Sequence, residues 1–249
     1  MRRTGTAVKK TPGADDRQAP LEPVVSSLPP LDSQRIRPAL PGTPIGSPHM
    51  DGAAICCLVV AKSGNLGFLT TNRFLREQEG TGTNLLQPGI EDGGNPTTDV
   101  IGTVDEVVPV HFDQPNTVAG ALAKTSRQQV APEFPGIGLV QSFTSVALKD
   151  AVQILAEHGD KLEGNVIAVN AQVRVPFPGR GEALYQELIE VRMGDSAGAR
   201  VDSGSPVLTK AGILVGMAFY TASGTVFVIP FDRIMHALSI QRLVTDEVG

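Results

Sequence analysis

The sequence predicts an all-β protein built in two halves, and three observations carry that expectation. Its 249 residues include 27 glycines and 19 prolines, only 4% aromatics and no tryptophan, which favours short strands and turns over long helices. From residue 53 onward the chain breaks into short apolar runs separated by turn signals. About six runs lie on each side of a Pro- and Gly-rich connection at 134–142, and an apolar helical pattern closes the chain. This count is the one expected of paired barrels; it also fits a sandwich with additions.

Taken in order, residues 53–61 read as a strand, Ser63-Gly64-Asn65 as a tight turn and residues 66–70 as the hairpin partner. Residues 84–87, 100–104, 107–112 and 118–123 supply four more strands. The second half offers 151–156, 164–175, 184–191, 205–208, 212–220 and 225–229, although the spacing over 144–158 also allows a helix. Ile234, Leu238 and Leu243 then mark a helix starting near Phe231 and Asp232. No solenoid-length repeat is present. Residues 1–50 are different material: prolines recur from Pro12 to Pro48 among polar residues, so a disordered or extended tail is expected, either merely solvated or docking on a partner or neighbouring subunit.

Bulk properties narrow the function. A net charge of −5 and a pI near 5.4 advertise neither nucleic acid nor an anionic membrane surface as a partner. No apolar run is long enough to span a bilayer, and no signal-peptide core follows Arg2 and Arg3, so a cytoplasmic location is the default, with export by another route left open. Cys56 and Cys57 are adjacent and, within a strand, would face opposite ways; they are expected to pack as small apolar residues. No cofactor or metal is called for. Glu91, Asp92 and Asp99 lack the alternating oxygen spacing of a calcium loop, so turn chemistry is the expectation. Gly179-Arg180-Gly181 with Arg174 lacks the strand-to-helix setting of a phosphate loop and reads as a hairpin tip.

The informative stretch is Val201-Asp202-Ser203-Gly204-Ser205-Pro206-Val207-Leu208, followed by Gly212-Ile213-Leu214-Val215-Gly216. It resembles the nucleophile segment of trypsin-like serine peptidases, in which a sharp turn presents the serine hydroxyl and small neighbours let backbone N–H groups form an oxyanion hole. Three upstream blocks are similar to a bacterial and plant group of that family. Leu69-Thr70-Thr71-Asn72-Arg73-Phe74-Leu75 resembles the histidine segment. Leu86-Gln87-Pro88-Gly89 with Glu91-Asp92-Gly93-Gly94 and Asp99-Val100-Ile101-Gly102 resembles the stretch after it. Asn116-Thr117-Val118-Ala119-Gly120-Ala121-Leu122-Ala123 resembles the aspartate segment. The resemblance covers roughly residues 53–240 and implies two packed six-stranded antiparallel barrels, at about 53–133 and 144–240 of a domain spanning 51–249, with a C-terminal helix.

The departures fall on the chemistry. The resemblance puts Arg73 at the histidine position, Ala119 at the aspartate position and Val201 where a glycine N–H forms half of the oxyanion hole; only Ser203 is kept. Arginine stays protonated and cannot accept the serine proton, and alanine cannot orient a base. The expectation is an inactive homologue that binds a protein or peptide in its cleft, with self-association left open. Two alternatives stand beside it. One is a hydrolase using Ser203, or Ser196 in Gly194-Asp195-Ser196-Ala197-Gly198, with an unusual base such as His111; the other is a purely structural subunit. His49, His158 and His236 are expected on the tail, a turn and the terminal helix.

Overall fold

The computed structural model describes residues 35–156, 159–177, 179–194 and 201–245. The first lobe contains β1 (Pro44–Gly46), β2 (Asp51–Ala54), β3 (Cys57–Ala61), β4 (Leu66–Thr70), β5 (Asn84–Leu86), β6 (Val100–Val107) and β7 (Ala121–Lys124). A small pair, β8 (Glu133–Phe134) and β9 (Gly138–Leu139), lies in the expected connection. The second lobe contains β10 (Ala151–Leu155), β11 (Lys161–Phe177), β12 (Gly181–Met193), β13 (Pro206–Thr209), β14 (Leu214–Ala222) and β15 (Thr225–Pro230). Helix α1 (Phe231–Ala237) follows, and β16 (Ile240–Leu243) ends the described chain.

The second lobe is the expected closed six-stranded barrel, in the order β10-β11-β12-β15-β14-β13. The first lobe is an eight-stranded sheet in the order β16-β3-β4-β7-β6-β5-β1-β2, where six strands were expected: the 53–61 run is split into β2 and β3, 107–112 gives no strand of its own, and β1 and β16 are added. Leu243, expected on the terminal helix, belongs instead to β16, which pairs antiparallel with β3 and straps the chain end back onto the first lobe. The ambiguous 144–158 region forms β10 and no helix among its described residues.

Alternation explains how the layers form. Along β3, Cys57, Val59 and Ala61 pack into a cluster shared by both lobes, while Leu58 points into the core of the first lobe. The cysteines pack as small apolar residues, as expected, but do not face opposite ways. The strand read at 53–61 breaks at Ile55 and Cys56, so Cys56 and Cys57 enter the same shared cluster, both free thiols and both buried. The shared cluster also takes Phe219 from β14 and Phe231 and Ile234 from α1, which glues the lobes and the helix together.

The tail boundary expected at residue 50 falls earlier. Ala39 pairs with Val130, β1 bridges β2 and β5, and Ile45 is buried. Arg37 donates to the Gln87 side chain and to the carbonyls of Gln87 and Asp99. Backbone and guanidinium hydrogen bonds hold this proline-rich stretch where side-chain packing alone gives little. The rest of the expected tail, residues 1–34, lies outside the described residues. The loop from Gln87 to Asp99 is held by turn chemistry: the Asp51 carboxylate accepts from the N–H groups of Ile90 and Glu91, and Asp99 accepts from that of Asn95.

Candidate functional site

Ser203 sits at the seam between the lobes because its turn is hydrogen-bonded to both. Its carbonyl accepts from Ala54 N–H at 2.9 Å on β2, while Gly204 N–H donates to Ala218 O at 2.7 Å on β14. Ser205 N–H closes the turn on Asp202 O at 3.1 Å. Gly204 has φ +107°, and a Cβ there would overlap Ala54 O and lie 2.9 Å from Ala54 N. Only glycine allows the two backbones to approach this closely.

The side chain of Ser203 is already engaged. Its Oγ donates to the carbonyl of Phe219 at 2.7 Å. That same carbonyl faces Arg73, whose Nη1 donates to it at 3.5 Å. Arg73 follows β4 in a turn set by Thr71 Oγ1, which accepts its backbone N–H, and by Asn72 Nδ2, which donates to Val108 O at 2.6 Å. The guanidinium lies over the ring of Tyr220, 5.1 Å from its centroid, and 6.0 Å from that of Phe219. Burial lowers its pKa from the ordinary arginine value, partly opposed by Tyr220 and Tyr185. A hollow of about 290 Å³ opens here, lined by Gly52, Arg73, Val201, Ser203, Tyr220 and Thr221 among others. On the other side of Arg73 is a second hollow of about 300 Å³, lined in part by Met50, Arg73, Arg76, Glu77, Phe177 and Arg180.

The structure brings Arg73, Val201 and Ser203 to one hollow, while Ala119 lies beneath the surface. Ala119 is fully buried in the cluster shared by the lobes, with Leu69, Tyr185 and Phe219, and lines neither hollow. His111 is exposed on the loop after β6, where its backbone N–H donates to Asn116 Oδ1 at 2.9 Å. It does not line the Ser203 hollow. His49 and His236 are exposed, the latter on α1; His158 and Ser196 lie outside the described residues.

Sequence reasoning missed the aromatic floor. Tyr185 packs against Phe219 at 4.4 Å and Phe177 at 6.4 Å, and Phe177 meets Phe112 edge-on at 5.7 Å. Tyr185 is fully buried with an unpartnered hydroxyl, and burial pushes its pKa up, so it stays neutral. The signal was present: the chain has only two tyrosines, and both belong to this site.

The sequence matches no protein-family profile and no curated protein. Solved structures do match. Protease A of Thermobifida fusca aligns at 18% identity over 83% of this chain and 98% of its own, with a TM-score of 0.59. A chymotrypsin of Cellulomonas bogoriensis aligns at 20% identity over 84% of this chain and 99% of its own, with a TM-score of 0.58. A Nocardiopsis protease aligns at 14% identity over 82% and 98%, with a TM-score of 0.59. The fold is that of the chymotrypsin-like serine proteases. At these identities the likeness speaks for the fold, and the chemistry must be argued from this chain's own residues.

Proposed function

We propose that this chain is a catalytically inactive homologue of the trypsin-like serine peptidases that binds a protein or peptide in the cleft between its lobes. One observation carries the reading: the Ser203 hydroxyl donates to the Phe219 carbonyl, which cannot take a proton, and the same carbonyl faces the cationic Arg73. Arg73 occupies the histidine position of the family and is a donor only, so no general base receives the serine proton. Ala119 stands at the aspartate position, buried among apolar side chains, and has no polar atom with which to orient a base. Removing the nucleophile or base of a studied serine peptidase costs roughly 10⁶ in turnover. Val201 carries a Cβ at the family's oxyanion glycine, which restricts the backbone there.

Binding does not need these groups. The register of β13 on β14 runs from Leu208↔Leu214 to Pro206↔Met217, whereas β14 continues to Ala222. Beyond the occupied Phe219 carbonyl the edge borders the Ser203 hollow through Tyr220 and Thr221, and an extended peptide can add to such an edge through main-chain hydrogen bonds. The test is an immobilised library of extended peptides probed with wild type and with Arg73→Ala. Retention of peptides uncleaved, weakened in the variant, supports the reading. Cleavage that disappears in Ser203→Ala overturns it.

A further inference from the structure

We infer that the second hollow is a carboxylate-reading subsite, and that the peptide taken by this cleft carries acidic side chains there. The inference deepens the peptide-binding reading above and rests on it. Three arginines line one hollow of about 300 Å³, with Glu77 the acidic residue among its lining, in a protein whose net charge is −5. Two arginines elsewhere pair with carboxylates, Arg35 with Asp99 and Arg233 with Glu187. Arg73, Arg76 and Arg180 form no such ion pair among the described residues. Arg76 Nη2 donates to His49 O at 2.9 Å, and Glu79 accepts from the backbone N–H of Arg76.

The guanidiniums are also held in place. Arg180 lies over the ring of Phe112 at 4.8 Å, and Arg73 lies over Tyr220. From Phe112 a row of ring contacts runs through Phe177 and Tyr185 to Phe219, whose centroid is 6.0 Å from Arg73, so one aromatic row lies beneath both cations. Stacking uses the faces of the guanidinium and leaves its N–H edges for planar, two-pronged contacts to carboxylate. Tyr185 adds no negative charge, since burial keeps its hydroxyl protonated even with Arg73 and Arg180 close enough to oppose the shift. Arg73 lines both hollows, which sets this subsite next to the Ser203 cleft. In an extended peptide, residues i and i+2 face the same way, so alternate acidic positions reach one hollow together.

The experiment is calorimetry on the full chain at low and high salt. One probe is a five-residue peptide blocked at both ends with glutamates at its second and fourth positions; a second replaces both by glutamine. A third is pentaglycine with a free C-terminal carboxylate, which separates side-chain from chain-end carboxylates. The glutamate peptide is expected to bind at least tenfold more tightly than the glutamine peptide and to weaken with salt. Arg180→Gln and Arg76→Gln should each weaken it about tenfold with unchanged circular dichroism, and Arg180→Lys should recover part of the loss. Tighter binding of the pentaglycine acid keeps the carboxylate assignment and moves its source to a chain end. Equal binding of glutamate and glutamine peptides overturns the carboxylate subsite and leaves peptide binding standing. Failure of every probe to bind overturns both.

Discussion

Replacing Gly204 by alanine tests how the serine turn is held between the lobes, and Gly52 provides an internal control. Both glycines have φ +107°, but a Cβ on Gly52 meets nothing within 4 Å, while one on Gly204 overlaps Ala54 O and lies 2.9 Å from Ala54 N. Backbone in this region costs an L-residue on the order of 1–3 kcal/mol, so Gly52→Ala measures that strain alone. Gly204→Ala adds a clash with main-chain atoms that have no rotamer to move, worth roughly another 1–3 kcal/mol or more. At about 2–4 °C per kcal/mol for a chain of this size, Gly204→Ala should melt roughly 2–12 °C below Gly52→Ala. The Ala54 N–H to Ser203 O bond lies beside the clash, so native-state exchange of the Ala54 amide should also speed up. Differential scanning calorimetry on the two variants and the wild type gives the comparison. Equal melting temperatures for the two variants would refute the close approach of β2 to the serine turn.

Tyr185→Phe removes a buried hydroxyl that has no partner and should leave stability unchanged or raise it by about 1 kcal/mol, measured by urea denaturation. A loss above that size would reveal a partner for the hydroxyl. Burial raises the Cys56 thiol well above its ordinary pKa of 9.0. The unfolded thiol therefore ionises first: this contribution is complete below about pH 8.5 and falls above it by up to about 1.4 kcal/mol per pH unit. Cys56→Ala should flatten that alkaline slope in denaturation curves taken between neutral and alkaline pH. Deleting residues 1–50 should lower the melting temperature by well over 5 °C, because it removes β1, buried Ile45 and the Arg37 hydrogen bonds, roughly 3 kcal/mol or more together. An unchanged melting temperature would show that residues 35–50 add nothing to the lobe.

Strands with clean turn signals at both ends were legible in the sequence. The hairpin at Gly64 and the strands at 66–70, 151–156 and 225–229 fall within a residue of β4, β10 and β15. Residues 107–112 failed as a strand because β6 takes only Val107, and His111 is held by the Asn116 side chain in place of a neighbouring strand. The 35–50 stretch was misread because its proline content is that of an unfolded segment, while what fixes it is long-range: Gln87, Asp99 and Val130 lie far along the chain. Leu243 fits a helical period with Ile234 and Leu238, but pairing with β3 overrides local spacing. Of the site, the Ser203 turn and Arg73 were visible as motifs. Arg180 was read only as part of a hairpin tip, and the aromatic row it joins was not seen, because its rings come from three separated segments that no spacing rule connects.

The proposed inactivity rests on Ser203 having no base to deprotonate its hydroxyl. Its most direct test is reaction with a fluorophosphonate probe, followed by intact mass, under conditions in which an active trypsin-like peptidase is fully labelled. No adduct is expected on wild type, and none on Arg73→His, because buried Ala119 has no group to orient the new imidazole. A stoichiometric adduct on wild type that disappears in Ser203→Ala would contradict it.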